Sequence, residues 1–440
     1  MGDFLKEIEN RILVHDGSKG YLLQKFGLKG NECGELWNLT NPGTVRKVYR
    51  SYIEAGSDVI QTNTFPGNLV HLQKYSLEDK VYEINFQGAK LAREEAGDSI
   101  FVCASIGPSG LLFEPSGELT FDKSYEIYCQ QVKAVADGGA DVINFETFTD
   151  LAELRAALLA AKDTTNLPVI CSLAFESSGR TLMGTDPYVA AVVLKSLGAD
   201  LAGTNCSFGP EHMLDIVKMM YEAGGGNLSV KPNAGIPQMI GGCVRYEETA
   251  EHFAERTSQF VKYGARLLGG CCGSTPEFIK ALKSRVANLE PVPVKNRTKS
   301  LITSNVKCID ADQLKQENLG VMKLLSGTEL YSALIRNDRA YLEDAALDMA
   351  SEGYDAIYVH YDGENGDAGL LPGLINVLQG YVKEPVIIET RSVAALDSTL
   401  RIYRGIAGVV IHSDSDALEA ELKKTASKYG SYVIHNRPFL

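Results

Sequence analysis

The chain has 440 residues, 45% of them hydrophobic and 22% charged, with a formal charge of −13. These values exclude collagen-like, disordered and coiled-coil classes and leave room for two to three domains of ordinary size. Acidic residues outnumber basic ones on both sides of residue 300, which argues against nucleic acid or an anionic membrane as partner.

No apolar run approaches about 18 residues, and the opening MGDFLKEIEN lacks the apolar stretch of a signal peptide. A cytoplasmic protein is expected. Nine cysteines, an odd number without a secretory signal, fit a reducing compartment better than a disulfide framework. Six of them (Cys33, Cys103, Cys129, Cys171, Cys243, Cys308) stand alone and read as buried thiols.

From residue 12 onward, short β-branched runs alternate with longer amphipathic stretches. The runs are ILVH (12–15), DVIQT (58–62), FVCASI (101–106), DVINFE (141–146), PVICSLAF (168–175), DLAGTNC (200–206), LSVKPNAG (228–235) and ARLLGG (265–270). Segments such as VRKVYRSYIEAG and LAELRAALLAAK between them have helical apolar spacing. Repeated strand–helix units imply a parallel sheet, and eight of them in about 280 residues predict a (β/α)8 TIM barrel over 1–287. A doubly wound open sheet is the alternative, but the first turn, HDGSKG, is not G-x-G-x-x-G. Residues 288–300, NLEPVPVKNRTKS, read as a linker. AIYVHY, EPVIIET, AGVVIHS and SYVIHN then predict a smaller, half-barrel-like α/β domain over 301–440.

In a barrel the carboxyl ends of the strands build the active site. Those ends carry Asp16-Gly17, Thr62-Asn63-Thr64, Gly107-Pro108, Glu146-Thr147, Asn205-Cys206, Asn233 and Gly269-Gly270-Cys271-Cys272-Gly273. Three thiolates, from Cys206, Cys271 and Cys272, suffice to hold Zn2+ and leave one tetrahedral position for an exchangeable ligand. Glycines on either side of the cysteine pair let the backbone turn both thiols toward one ion. Ordinary buried cysteines and a vicinal disulfide are the competing readings of the same residues.

GGCCGSTPEFI, GTNCSFGPE, KPNAGIP, TNTF, SIGPSG and FETFTDLAELRAALLAAK together resemble the zinc-dependent homocysteine S-methyltransferase family. The likeness covers residues about 10–290 and is nearest to the homocysteine-binding module of cobalamin-dependent methionine synthase. It implies a methyltransferase that converts homocysteine to methionine, with Cys206, Cys271 and Cys272 as zinc ligands. It also implies Asn233 as a fourth ligand before substrate arrives. Asp16, Gly17 and Glu146 match positions lining the amino-acid end of the site, where Glu146 would pair the substrate ammonium. The family's first-strand motif continues with a small residue and Gly-Thr, whereas this chain has Ser18-Lys19-Gly20-Tyr21. Lys19 is expected as a solvated side chain.

Residues 301–440 resemble the beginning of a pterin-binding barrel. The polar strand ends that would grip a pterin are replaced by Ser326-Gly327, His360-Tyr361 and Glu389-Thr390, so packing, docking or homo-oligomer formation is expected there rather than folate binding. A D-x-H-x-x-G corrinoid-ligating motif is absent. The expected methyl donor is therefore a methylated corrinoid held by another protein. S-methylmethionine or a betaine-type donor is the alternative. An onium site wants an aromatic cage, and the single Trp, Trp37, has no second aromatic near it in GELWNLTNP. A non-catalytic zinc-bound scaffold that docks a corrinoid protein is the rival from another class.

Overall fold

Burial is unbroken along Phe101–Ile106, Val169–Leu173 and Leu201–Asn205, as expected of parallel strands with helices outside and side chains packed within. The computed structural model describes all residues except 1–2, 115, 225, 236–237, 241–242, 247, 295–299, 364–366, 414 and 435–440; for 238–240 and 243–245 it describes the backbone alone. The chain divides into two compact units, Met1–Lys195 with Ala199–Arg297, and Ser196–Gly198 with Thr298–Leu440. Part of the expected linker, 295–299, lies outside the described residues, as do 435 and 436 of SYVIHN.

The first unit is an eight-stranded parallel barrel. Its strands are Leu13–Val14, Val59–Gln61, Phe101–Ile106, Val142–Phe148, Val169–Leu173, Leu201–Asn205, Leu228–Lys231 and Ala265–Leu268, each beside its neighbour in the chain. The eighth pairs with the first, and a single bridge, His15 to Val59, links the first to the second. Each strand is followed by a helix. Pro opens Pro42–Glu54, Pro210–Glu222 and Pro276–Val286, where its missing N–H costs nothing. The Thr120 and Asp150 side chains cap Phe121–Asp137 and Leu151–Thr164. At the amino end of the strands, Phe4 and Ile8 of the helix Phe4–Asn10 pack on Leu13, Val59, Phe101 and Leu267 and seal the barrel floor. The opposite end is left for chemistry.

Close strand packing fixes one glycine. A Cβ on Gly203, in the sixth strand, would lie 2.2 Å from the Ser229 carbonyl oxygen and 2.7 Å from Ser172 Oγ. Gly203→Ala is expected to destabilise the barrel by about 1–3 kcal/mol through overpacking. Urea denaturation reads this as a lower midpoint; an unchanged midpoint would contradict it.

The second unit holds five parallel strands in chain order, Leu319–Leu324, Ala356–Tyr361, Val386–Thr390, Gly408–Val410 and Tyr432–Ile434, preceded by an antiparallel hairpin of Leu301–Thr303 and Cys308–Asp310. Sequence reading missed Leu319–Leu324. It is an edge strand with Val321 and Lys323 exposed, so it lacks the continuous apolar run of its neighbours. Among the described residues no helix is long and apolar enough to cross a membrane.

Candidate metal centre

Cys206 is the first residue beyond the sixth strand. Cys206 and Ser207 both take left-handed backbone conformations, at φ 64° and 63°. A non-glycine residue held there costs about 1–3 kcal/mol and persists only when its surroundings enforce it. The enforcement is visible. Cys206 N donates to Lys231 O at 3.1 Å and Phe208 N to Cys206 O at 2.7 Å. The neighbouring Asn205 exchanges two hydrogen bonds of 2.7 Å with Thr147, itself left-handed at φ 64°.

Cys271 and Cys272 follow the eighth strand. Gly270 precedes them where a Cβ would fall 2.1 Å from Ser274 Oγ. The segment after the seventh strand stitches both cysteine loops. Cys271 N donates to Pro232 O at 2.7 Å, Ala234 N to Cys272 O at 2.9 Å, and Asn233 N to Phe208 O at 2.9 Å. The Asn233 side chain joins in, its Oδ1 accepting from Cys272 N at 3.1 Å. Asn233 thus stands among the cysteines.

These backbone bonds bring the three Sγ atoms within 4.8 Å of one another, with Cys206 and Cys272 3.7 Å apart. Zinc–sulfur bonds of about 2.3 Å arranged tetrahedrally place sulfurs about 3.8 Å apart, so the spacing suits that ion. Among the described residues no other group of three Cys, His, Asp or Glu converges as closely. The thiols hydrogen-bond one another. Cys271 and then Cys272 stabilise a thiolate at Cys206, drawing its pKa down to about 3, while the bond to Cys206 pushes Cys271 up to about 11. Left alone the cluster favours a single thiolate; a dication favours three.

Beside the cysteines opens a cavity of about 390 Å³, lined among others by Gly17, Lys19, Gln61, Glu146 and Phe65. That is the size of a small-ligand pocket. Glu146 is buried in its wall. One carboxylate oxygen accepts from Gln61 Nε2 and Ser105 Oγ, and the other from Lys231 Nζ. Burial disfavours the Lys231 charge, but Glu146 outweighs it and the Lys231 pKa rises.

Two expectations change here. Asp16 does not line the cavity: it is fully buried behind the wall, accepting from His15 Nδ1 and Gln61 N at 2.8 Å each. Burial pushes its pKa up, but the Lys19 charge and the His15 and Gln61 bonds more than compensate and hold it below the usual range. Lys19 is not solvated: it is 9% exposed, and its ammonium donates to Gln61 Oε1 at 3.0 Å. Sequence reading passed over Gln61, Ser105 and Lys231. The available signal was polarity inside buried strands, most clearly the lone Lys ending LSVK. The aromatic rings lining the cavity include Phe65, His71 and Tyr75, whereas Trp37 does not line it.

Comparison with known proteins adds three findings. Residues 13–286 match the homocysteine S-methyltransferase family. Over 98% of its length the chain is 29% identical to methionine synthase of Mycobacterium tuberculosis and 28% identical to that of Mycobacterium leprae, and it spans 38% of the length of each. Among solved structures it resembles the metallated form of the homocysteine methyltransferase MmuM from Escherichia coli, with a TM-score of 0.53 and 22% identity over 62% of this chain and 96% of that one. That likeness concerns the fold.

Proposed function

Because the chain belongs to the homocysteine S-methyltransferase family, we propose that it methylates the thiol of homocysteine to give methionine, using a zinc ion held by Cys206, Cys271 and Cys272. The observation that carries this reading is the convergence of three Sγ atoms within 4.8 Å on the wall of a cavity of about 390 Å³. When bound, zinc supplies a way to keep a thiol deprotonated yet nucleophilic at neutral pH. The chain's own residues do the rest. The three cysteines line the cavity, so a substrate thiol can approach them from it. Glu146, oriented by Ser105, Gln61 and Lys231, accepts hydrogen bonds from the substrate ammonium. Since Lys231 already balances its charge, Glu146 positions the ammonium rather than serving as its only counter-ion. Gly17 also lines the cavity, held so close to Ser274 that a Cβ would lie 2.5 Å from its carbonyl oxygen, and Asn233 braces the Cys272 backbone. In the transfer the sulfur forms a bond to the methyl carbon as the donor's bond to that carbon breaks. The donor fragment keeps the electron pair, and the thiol proton leaves.

The likeness to methionine synthases favours a methylated corrinoid as donor. Phe65 and Tyr75 in the cavity wall favour a second reading, a cationic onium donor. One assay covers both. Zinc-loaded protein is given homocysteine with methylcobalamin, S-methylmethionine or glycine betaine, and methionine is measured by mass spectrometry. Methionine from methylcobalamin is the expected result. Methionine from an onium compound alone reverses the donor assignment, and none from any donor overturns the homocysteine reading.

A further inference from the structure

Lys19 opens the helix Lys19–Lys25 that follows the first barrel strand, directly after its cap Ser18, in the SKGY segment that departs from its family's motif. Its ammonium is drawn into the cavity wall. There it donates to Gln61 Oε1 at 3.0 Å, and among the described residues it forms no ion pair. A lysine ammonium has three donors, so two remain for the cavity. The buried Asp16 carboxylate acts on this charge through space but is hydrogen-bonded by His15 and Gln61 rather than by Lys19. The ammonium therefore still has donors to offer an anion in the cavity.

Gln61 ties this cation to the rest of the wall. Its Oε1 accepts from Lys19 and its Nε2 donates to Glu146, which is paired in turn with Lys231. Along the wall the order is ammonium, amide, carboxylate, ammonium. An α-amino acid presents the complementary pair, carboxylate and ammonium on one carbon.

We propose that Lys19 binds the α-carboxylate of the amino-acid substrate, so that Lys19 and Glu146 together read the zwitterion and fix the direction in which its side-chain thiol points. The proposal rests on the homocysteine reading and names a specificity residue for it. Charged hydrogen bonds contribute about 1.5–3 kcal/mol, or about 10- to 100-fold in affinity.

Calorimetric titration of the zinc-loaded chain with three thiols tests it. These are L-homocysteine, 3-aminopropane-1-thiol, which lacks the carboxylate, and 4-sulfanylbutanoate, which lacks the amine. Lys19→Met is expected to weaken homocysteine and 4-sulfanylbutanoate by about 10- to 100-fold and to leave 3-aminopropane-1-thiol unchanged, with Lys19→Arg restoring most of the loss. Equal weakening of all three thiols would show a structural role and overturn the proposal, as would no weakening of any. If Lys19→Met does not fold, the unsubstituted chain still decides: equal affinity for homocysteine and 3-aminopropane-1-thiol overturns the proposal. Homocysteine failing to bind the unsubstituted chain at all overturns the homocysteine reading itself, and this proposal with it.

Discussion

Alanine at Cys206, Cys271 or Cys272 is expected to take bound zinc from about one ion per chain to near none, and to lower methyl transfer to homocysteine by about 10³-fold or more. A metal ion supplies several kcal/mol of transition-state stabilisation, and each 1.4 kcal/mol is about tenfold in rate. Two remaining thiolates also form a poorer site than three. The fold should survive, because the apolar cluster formed by Phe4, Ile8, Leu13 and Phe101 lies at the far end of the strands from the thiols. Metal analysis, circular dichroism and the assay above are read together, with Cys129→Ala as a control outside the cluster. Zinc retained at full occupancy in all three variants would refute the site.

The second large effect is on stability. Lys231→Met leaves the Glu146 carboxylate in a buried wall without its cation, and Glu146→Gln does the reverse. Each single change is expected to cost about 3–5 kcal/mol, the penalty for stranding one member of a buried ion pair. The double variant should recover much of that loss, since the uncompensated charge is gone. Urea denaturation of the four chains measures the coupling. Strictly additive losses would show that the two residues act independently, contrary to the geometry.

How much of this the sequence showed depends on the range of each interaction. The eight strands stood out because parallel strands buried on both faces read as continuous β-branched runs. The cysteine site stood out because Gly269–Gly273 and Asn205-Cys206 are local motifs at strand ends. The wall of the cavity did not. Glu146 and Lys231 are 85 residues apart, as are Gln61 and Glu146, and nothing local says which inward-facing polar residues will meet. Asp16 and Lys19 show the same limit three residues apart. One is turned behind the wall and the other into it, a choice made by His15 and Gln61 rather than by the first-strand motif. The Leu319–Leu324 strand was missed for a different reason: at a sheet edge its alternating exposure erases the signal.

The stitching of both cysteine loops by residues 231–234 has a consequence for metal uptake. The peptide groups of that short segment, together with the Asn233 amide, set the separation of sulfur atoms that belong to two distant parts of the chain. Those bonds run between protein groups alone, so they form as the barrel assembles and need no ion. The entropy of ordering the ligands is thus lost during folding rather than during metal binding. A zinc ion at the proposed site would then meet donors already gathered and have only to shed its water and displace protons. This is the reverse of a zinc finger, in which the metal itself must organise the chain.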